Sequence, residues 1–120
     1  MVTIRPERDE DHCAVFEVNE EVFATDAEAR LVEELRQKVG PVISWVVEVD
    51  GAIVGHIFFS PVTIGDKGGG VRTMGLAPMA VREKFQRQGL GRQLVEQGLD
   101  ACQKAGAELV FVLGDPDYYP

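Results

Sequence analysis

An α+β domain built around one mixed sheet is the fold this sequence predicts, and three features predict it. Apolar residues at helical spacing between Asp9 and Gly40 give way to β-like runs between Ser44 and Val81. An Asp50-Gly51 pair between two of those runs reads as a tight hairpin turn. Near the end, strand, helix and strand follow one another, which implies parallel pairing through a right-handed crossover. The element order is β-α-α-β-β-β-α-β.

Val2 to Arg5 reads as a short strand. From Asp9 to Phe23, apolar Cys13, Phe16 and Val22-Phe23 among acids predict an amphipathic helix. Thr25-Asp26-Ala27-Glu28 has the form of a capping box, Leu31, Val32 and Leu35 form the next helix's apolar stripe, and Gly40-Pro41 stops it. Ser44 to Val49 and Ala52 to Ile64 are the strands around the hairpin turn, and Gly65 to Gly70 is a flexible connection. Thr73 to Val81 is again extended. Pro78 inside it has no N–H for a ladder, so this strand should be bulged or unpaired on one side there. A polar turn over Arg82 to Gly91 leads into a helix ending near Gly106 that buries Leu90, Leu94, Val95, Leu99 and Cys102; the strand Leu109 to Leu113 follows.

With 120 residues and 13.2 kDa, the chain has the length of one domain, 1–120. Its 45% hydrophobic and 27% charged content is that of an ordinary globule and excludes a fibre or a disordered tail. A net charge of −8 argues against general binding to nucleic acid or an anionic membrane. No apolar run approaches the ~20 residues that span a bilayer, and Met1 to Pro6 does not read as a signal peptide. Cys13 and Cys102 stand far apart without a C-x-x-C partner. They read as reduced thiols of a cytoplasmic protein, with neither a metal site nor a disulfide framework implied.

Gln86-Arg87-Gln88-Gly89-Leu90-Gly91 carries the chemistry. It lies where a strand meets the first turn of a helix, and there several backbone N–H groups have no intrahelical partner. Glycines at 89 and 91 let an anion approach the backbone, and the helix dipole favours negative charge. Arg82, Lys84, Arg87 and Arg92 face only Glu83 within this window of an otherwise acidic chain. That pattern fits a polyphosphate of limited size. A Walker loop is absent, and the dinucleotide fingerprint fails because Leu94 stands where its third glycine is needed.

What remains is Q-x-x-G-x-G. Met79-Ala80-Val81-Arg82-Glu83-Lys84-Phe85-Gln86-Arg87-Gln88-Gly89-Leu90-Gly91 resembles the [QR]-x-x-G-x-[GA] motif of the GCN5-related N-acetyltransferase (GNAT) family with its preceding strand. The element order agrees with the family's over all 120 residues. Leu113-Gly114-Asp115-Pro116-Asp117-Tyr118-Tyr119-Pro120 further resembles a bacterial subset of predicted N-acetyltransferases. The resemblance implies the acyl-CoA N-acyltransferase fold, a mixed central sheet with helices on both faces. Family members continue with a short helix and two more strands, so the expectation is a domain shortened at its C-terminus.

The resemblance also implies acetyl-CoA as cosubstrate, no metal, and transfer of the acetyl group to a primary amine by direct attack in a ternary complex. The pantetheine arm would pair with the backbone of Met79, Ala80 and Val81. The pyrophosphate would rest on the amides of Arg87, Gln88, Gly89, Leu90, Gly91 and Arg92, with Gln86 shaping the loop. An unpaired amide such as that of Ala80 or Val81 would stabilise the oxyanion, an interaction worth roughly 3–4 kcal/mol in other enzymes. Tyr119 is the implied acid that reprotonates the thiolate, with Tyr118 as its rival. An alkylamine of pKa ~10.4 needs a base. Glu20, Glu21, His56, Asp115 and Asp117 all qualify, and the sequence does not choose among them. The acceptor would be a small-molecule or protein amine, and a homodimer is compatible with the resemblance.

Each sharp reading has a plain one beside it. The loop could be an ordinary strand-to-helix turn, His56 a structural residue of an apolar strand, Cys102 core, Trp45 core or interface, and Glu20-Glu21 a solvated face. Two other functions remain open: a coenzyme A-binding module or degenerate remnant without turnover, and an interaction domain whose exposed sheet edge pairs with another chain.

Overall fold

Strand β1 (Val2–Pro6) and a single 3₁₀ turn at Asp9–Asp11 precede helices α1 (His12–Phe23) and α2 (Ala27–Lys38). Strands β2 (Ile43–Val49), β3 (Ala52–Pro61) and β4 (Thr73–Val81) follow, then a second 3₁₀ turn at Glu83–Phe85, helix α3 (Leu90–Lys104) and strand β5 (Leu109–Val112). This computed structural model describes residues 1–62 and 73–112. The predicted end of the third strand, the Gly65–Gly70 connection, Leu113 and the C-terminal Asp-Pro-Asp-Tyr-Tyr stretch lie outside the described residues. The expected element order and mixed sheet are both present. Spatial order is β1-β2-β3-β4-β5, antiparallel up to β4, with β4 and β5 parallel.

The hairpin between β2 and β3 turns as its sequence requires, because Asp50 (φ 51°) and Gly51 (φ 88°) both adopt the left-handed conformation of a type I′ turn. Side chains alternate between the two faces of the sheet. Val47, Val54, Ile57, Phe59, Met74, Leu76, Met79 and Val81 meet Leu90, Leu94 and Cys102 of α3 on one face. On the other, Val46, Ile53 and Ala80 meet Val15 and Val18 of α1, while α2 packs beside α1 and lays Arg36 over the ring of Phe58. Helices therefore cover both faces.

Several details correct the sequence reading. The first helix is split: Asp9–Asp11 is a 3₁₀ turn, and Cys13 points to solvent while Val15, Val18 and Asn19 are buried. The expected capping box does not form. Asp26 is the N-cap without a side-chain cap bond, and Thr25 Oγ1 only accepts a 3.4 Å bond from the Ala27 amide. Leu31 and Leu99, expected in the core, are 42% and 40% exposed. Both lie at the margin of a stripe whose centre, Val32 and Ala29 in α2 or Leu94 and Cys102 in α3, does the packing.

Gly98 completes that stripe in α3. A Cβ there would lie 2.2 Å from Cε1 and 2.6 Å from Cζ of the fully buried Phe59. The helix thus approaches the sheet at a distance only glycine permits. Gly98→Val should cost about 3 kcal/mol through overpacking. At this chain length that lowers the melting temperature by roughly 10 °C in a calorimetric scan. A variant melting at the wild-type temperature would show that the ring has room to move.

Candidate functional site: a half-paired strand and the loop before α3

The β4–β5 ladder covers Thr73↔Leu109 to Leu76↔Val112 and, among the described residues, goes no further. Ala77–Val81 therefore has a β3 neighbour on one side and no described strand on the other. The bulge expected at Pro78 is present: Ile57 pairs with Met79 but Phe59 with Leu76, so β4 carries one residue more than β3 across Ala77-Pro78.

The bulge decides which amides face the open edge. The Arg82 amide donates to Val54 O at 2.9 Å, in register with His56↔Ala80 and Gly55↔Val81. Hydrogen-bonded pairs alternate along an antiparallel ladder, so Ala80 turns its N–H and C=O toward His56. Met79 and Val81 turn theirs to the free edge. The Val81 carbonyl is already engaged by Gln86, whose Nε2 donates to it at 2.8 Å. Side chains of Met79, Ala80 and Val81 are buried, so this segment offers a ligand its backbone edge alone. Of the two amides named from the sequence as oxyanion donors, Ala80's is spent in the ladder and Val81's is directed outward.

Beyond β4 the chain runs through the 3₁₀ turn into a loop with two left-handed residues, Arg87 (φ 64°) and Gly89 (φ 82°). Gly89 is the N-cap of α3, and its carbonyl accepts the first helical bond, from Gln93 N at 3.1 Å. The amides that follow, Leu90, Gly91 and Arg92, belong to the turn that has no intrahelical acceptor. A Cβ on Gly89 would meet nothing within 4 Å, so the approach to these amides is open. Gly91 faces Met79, with 3.6 Å between an added Cβ and the Met79 Cε. Arg87, Gln88 and Gly89 are exposed, and Arg92 is 79% exposed with Glu96 3.6 Å away. Arg82 turns from the loop to α1, donating to Glu21 Oε1 at 2.7 Å.

Of the candidate bases, His56 is excluded by its surroundings. It is fully buried, and burial, aided by the Arg36 charge, pushes its pKa down to about 3. Its ring is bonded on both sides, to Asn19 and Ser44. Glu20 is exposed on α1, and Glu21 is held by Arg82. Tyr118, Tyr119, Asp115 and Asp117 lie outside the described residues. Burial pushes the Cys102 thiol up to about 11, which suits the core role read for it. No group of three or more His, Cys, Asp or Glu side chains is placed to hold a metal among the described residues. Nor is any described helix long and apolar enough to cross a membrane.

Two cavities of about 410 and 640 Å³ lie near the start of β2 and the C-terminal end of α3. The smaller has apolar walls such as Pro41, Met74 and Ala107, and the larger is a shallow hollow beside Glu7 and Trp45. Neither includes a residue of the β4 edge or the loop. An open strand edge binds by lateral pairing and does not need an enclosed cavity.

The sequence profile of the acetyltransferase (GNAT) family matches residues 5–118. The chain belongs to the GNAT family. It is 43% identical over 98 residues to the uncharacterized N-acetyltransferase YhbS of Escherichia coli K12, a match covering 81% of this chain and 58% of YhbS. The chain thus spans well under two thirds of that curated relative. Among solved structures, a GNAT-family acetyltransferase from Brucella melitensis in complex with acetyl-CoA superposes with a TM-score of 0.86 at 36% identity, covering 99% of this chain and 79% of the other. Escherichia coli YhbS in complex with CoA superposes at 0.88 and 37% identity, covering 98% of this chain and 65% of that one. The GNAT fold read from the sequence is therefore the fold of this chain.

Proposed function

We propose that the chain is the acetyl-CoA-binding part of an N-acetyltransferase that moves the acetyl group to a primary amine by direct attack in a ternary complex. One observation carries the reading: the strand with the outward amides of Met79 and Val81 leads directly into the open α3 N-terminus, whose Gly91 packs against Met79. An extended arm ending in a diphosphate is what such an arrangement fits. The Brucella and Escherichia relatives with acetyl-CoA and CoA support the same ligand here.

Acetyl-CoA supplies the thioester. Amides of Arg87 to Arg92 hold its diphosphate, with Arg87 and Arg92 adding charge, and Gln86 keeps the loop tied to β4. The Met79 N–H and C=O and the Val81 N–H are the outward groups left to share between the pantetheine amides and the oxyanion, since Gln86 already takes the Val81 carbonyl. Met79 and Val81 are backed by α3, which leaves the α1 side for the amine. There Glu21, held at the end of β4 by Arg82, and the acidic outer face of α1 attract a protonated amine before it gives its proton to water. The neutral amine nitrogen then bonds to the acetyl carbon, the carbon–sulfur bond breaks, the nitrogen gives its excess proton to water, and Tyr119 donates a proton to the thiolate and regains one from solvent.

Calorimetry with acetyl-CoA, followed by a thiol-release assay over a panel of primary amines, tests this. Expected are saturable heat, stabilisation of about 2.7 kcal/mol at a hundredfold excess over Kd, and thiol release only when an amine is present. Absence of heat would leave an interaction domain. Heat without thiol release from any amine would leave a binding module without turnover.

A further inference from the structure

A buried polar chain that the proposed reaction does not use runs across the sheet face beneath α1. Arg36 of α2 pairs with Glu7, whose side chain is 4% exposed, just beyond β1. Glu7 Oε1 accepts from Ser44 Oγ of β2 at 2.6 Å, and Ser44 Oγ lies 2.8 Å from His56 Nε2 on β3. His56 Nδ1 in turn lies 3.1 Å from Asn19 Nδ2 of α1, which also donates to Val15 O at 3.0 Å. Asn19 and His56 are both fully buried.

The donors fix the direction of this chain. An amide nitrogen only donates, so His56 Nδ1 must accept, its proton sits on Nε2, and that N–H donates to Ser44. The Ser44 hydrogen is then committed to Glu7. Every proton in these bonds points away from α1 toward Glu7, so the chain is not a proton relay into the cleft. Its consequence is mechanical. Val15 and Val18 touch Ala80, Val46 and Ile53 through small aliphatic surfaces that would let the helix roll. The Asn19–His56 bond is directional and would not. His56 is also the ladder partner of Ala80, so one residue holds the half-paired strand by its backbone and α1 by its side chain.

We propose that His56 is a positioning residue for the amine side of the cleft, clamping the roll of α1 through Asn19 so that Glu21 stays at Arg82, where β4 ends. The amine part of this inference rests on the function proposed above; the clamp itself does not.

Two substitutions separate the ends of the ring. His56→Asn keeps an acceptor for Asn19 and loses Ser44, whereas His56→Gln reaches Ser44 and loses the acceptor for Asn19. In hydrogen exchange of the unliganded protein, the α1 amides should exchange about tenfold faster in H56Q than in H56N, with α3 amides alike in both. In turnover, the amine KM should be about tenfold higher in H56Q than in H56N, with the acetyl-CoA KM of the two within about twofold. Equal α1 exchange in both variants, or faster exchange spread equally over α1, α3 and the sheet, overturns the clamp. If neither variant folds, Asn19→Ala gives the same comparison: faster exchange confined to α1 supports the proposal, and wild-type exchange in α1 overturns it. A wild-type protein without acetyl transfer would sink the proposed function and leave the exchange result to judge the clamp.

Discussion

Gly89→Asp should weaken acetyl-CoA binding about 30-fold relative to Gly89→Asn, a difference of roughly 2 kcal/mol. The comparison needs both variants. Gly89 has φ +82°, a conformation that strains most side chains, so a glutamate there would confound backbone strain with charge. Asn and Asp tolerate the left-handed region about equally and differ only in charge. Space is not at issue, because a Cβ at Gly89 meets nothing within 4 Å. The extra carboxylate would sit among the Leu90, Gly91 and Arg92 amides, taking up the positive end of the helix dipole itself and repelling a bound diphosphate. Calorimetric titration of the pair in low and high salt is the measurement. The gap should narrow as salt screens it. Equal affinities at low salt would mean the diphosphate is held elsewhere.

Acid should destabilise the protein through His56, well before its carboxylates titrate. A histidine ordinarily titrates near 6.5; here burial, with a smaller push from Arg36, lowers that to about 3. Between those values the unfolded chain binds a proton that the folded one refuses, so stability falls as pH falls through this window. The contribution is fully present above about pH 6.5, and some 4 kcal/mol is forfeited by pH 3. Asp11 has the opposite chemistry and adds to the loss only lower down: its bond with Arg5 holds it below the usual carboxylate range, and protonation breaks that bond. Denaturant unfolding between pH 7 and 4.5 therefore isolates the histidine. Wild type should lose about 3 kcal/mol there, against well under 1 for His56→Gln, which has nothing to titrate at that position. Parallel curves for the two would show that the ring carries a proton in the folded state.

Local chemistry made much of this legible. Asp50-Gly51 can hardly do anything but turn a hairpin, Pro78 had to interrupt a ladder, and glycines at 89 and 91 after a basic stretch marked the anion loop. What the sequence left hidden depends on register and roll. Ala80 and Val81 are equivalent candidates until one knows that an extra residue at Ala77-Pro78 shifts the alternation, turning Val81 outward and Ala80 inward. Helical period alone draws the stripes too wide: Leu31 and Leu99 fit it as well as Val32 and Leu94 do, and only the neighbouring sheet distinguishes centre from margin. Gly98 carries no local signal, because its partner, Phe59, lies 39 positions away. The His56 chain joins five separate segments, and no spacing rule links Glu7, Asn19, Arg36, Ser44 and His56.

The interrupted strand has one more consequence, for behaviour in a crowded solution. A naked sheet margin invites foreign strands to stack on it and seed aggregates. Here the margin contains Pro78, which gives no hydrogen at mid-length, and a kink that spoils the flat rail such stacking requires. The Val81 carbonyl is also capped in advance by Gln86. A slim, partly extended guest can still use the remaining groups, while a polypeptide seeking an unbroken ladder cannot. Under the function proposed above, specificity for a small molecule and resistance to fibre growth share a single irregularity.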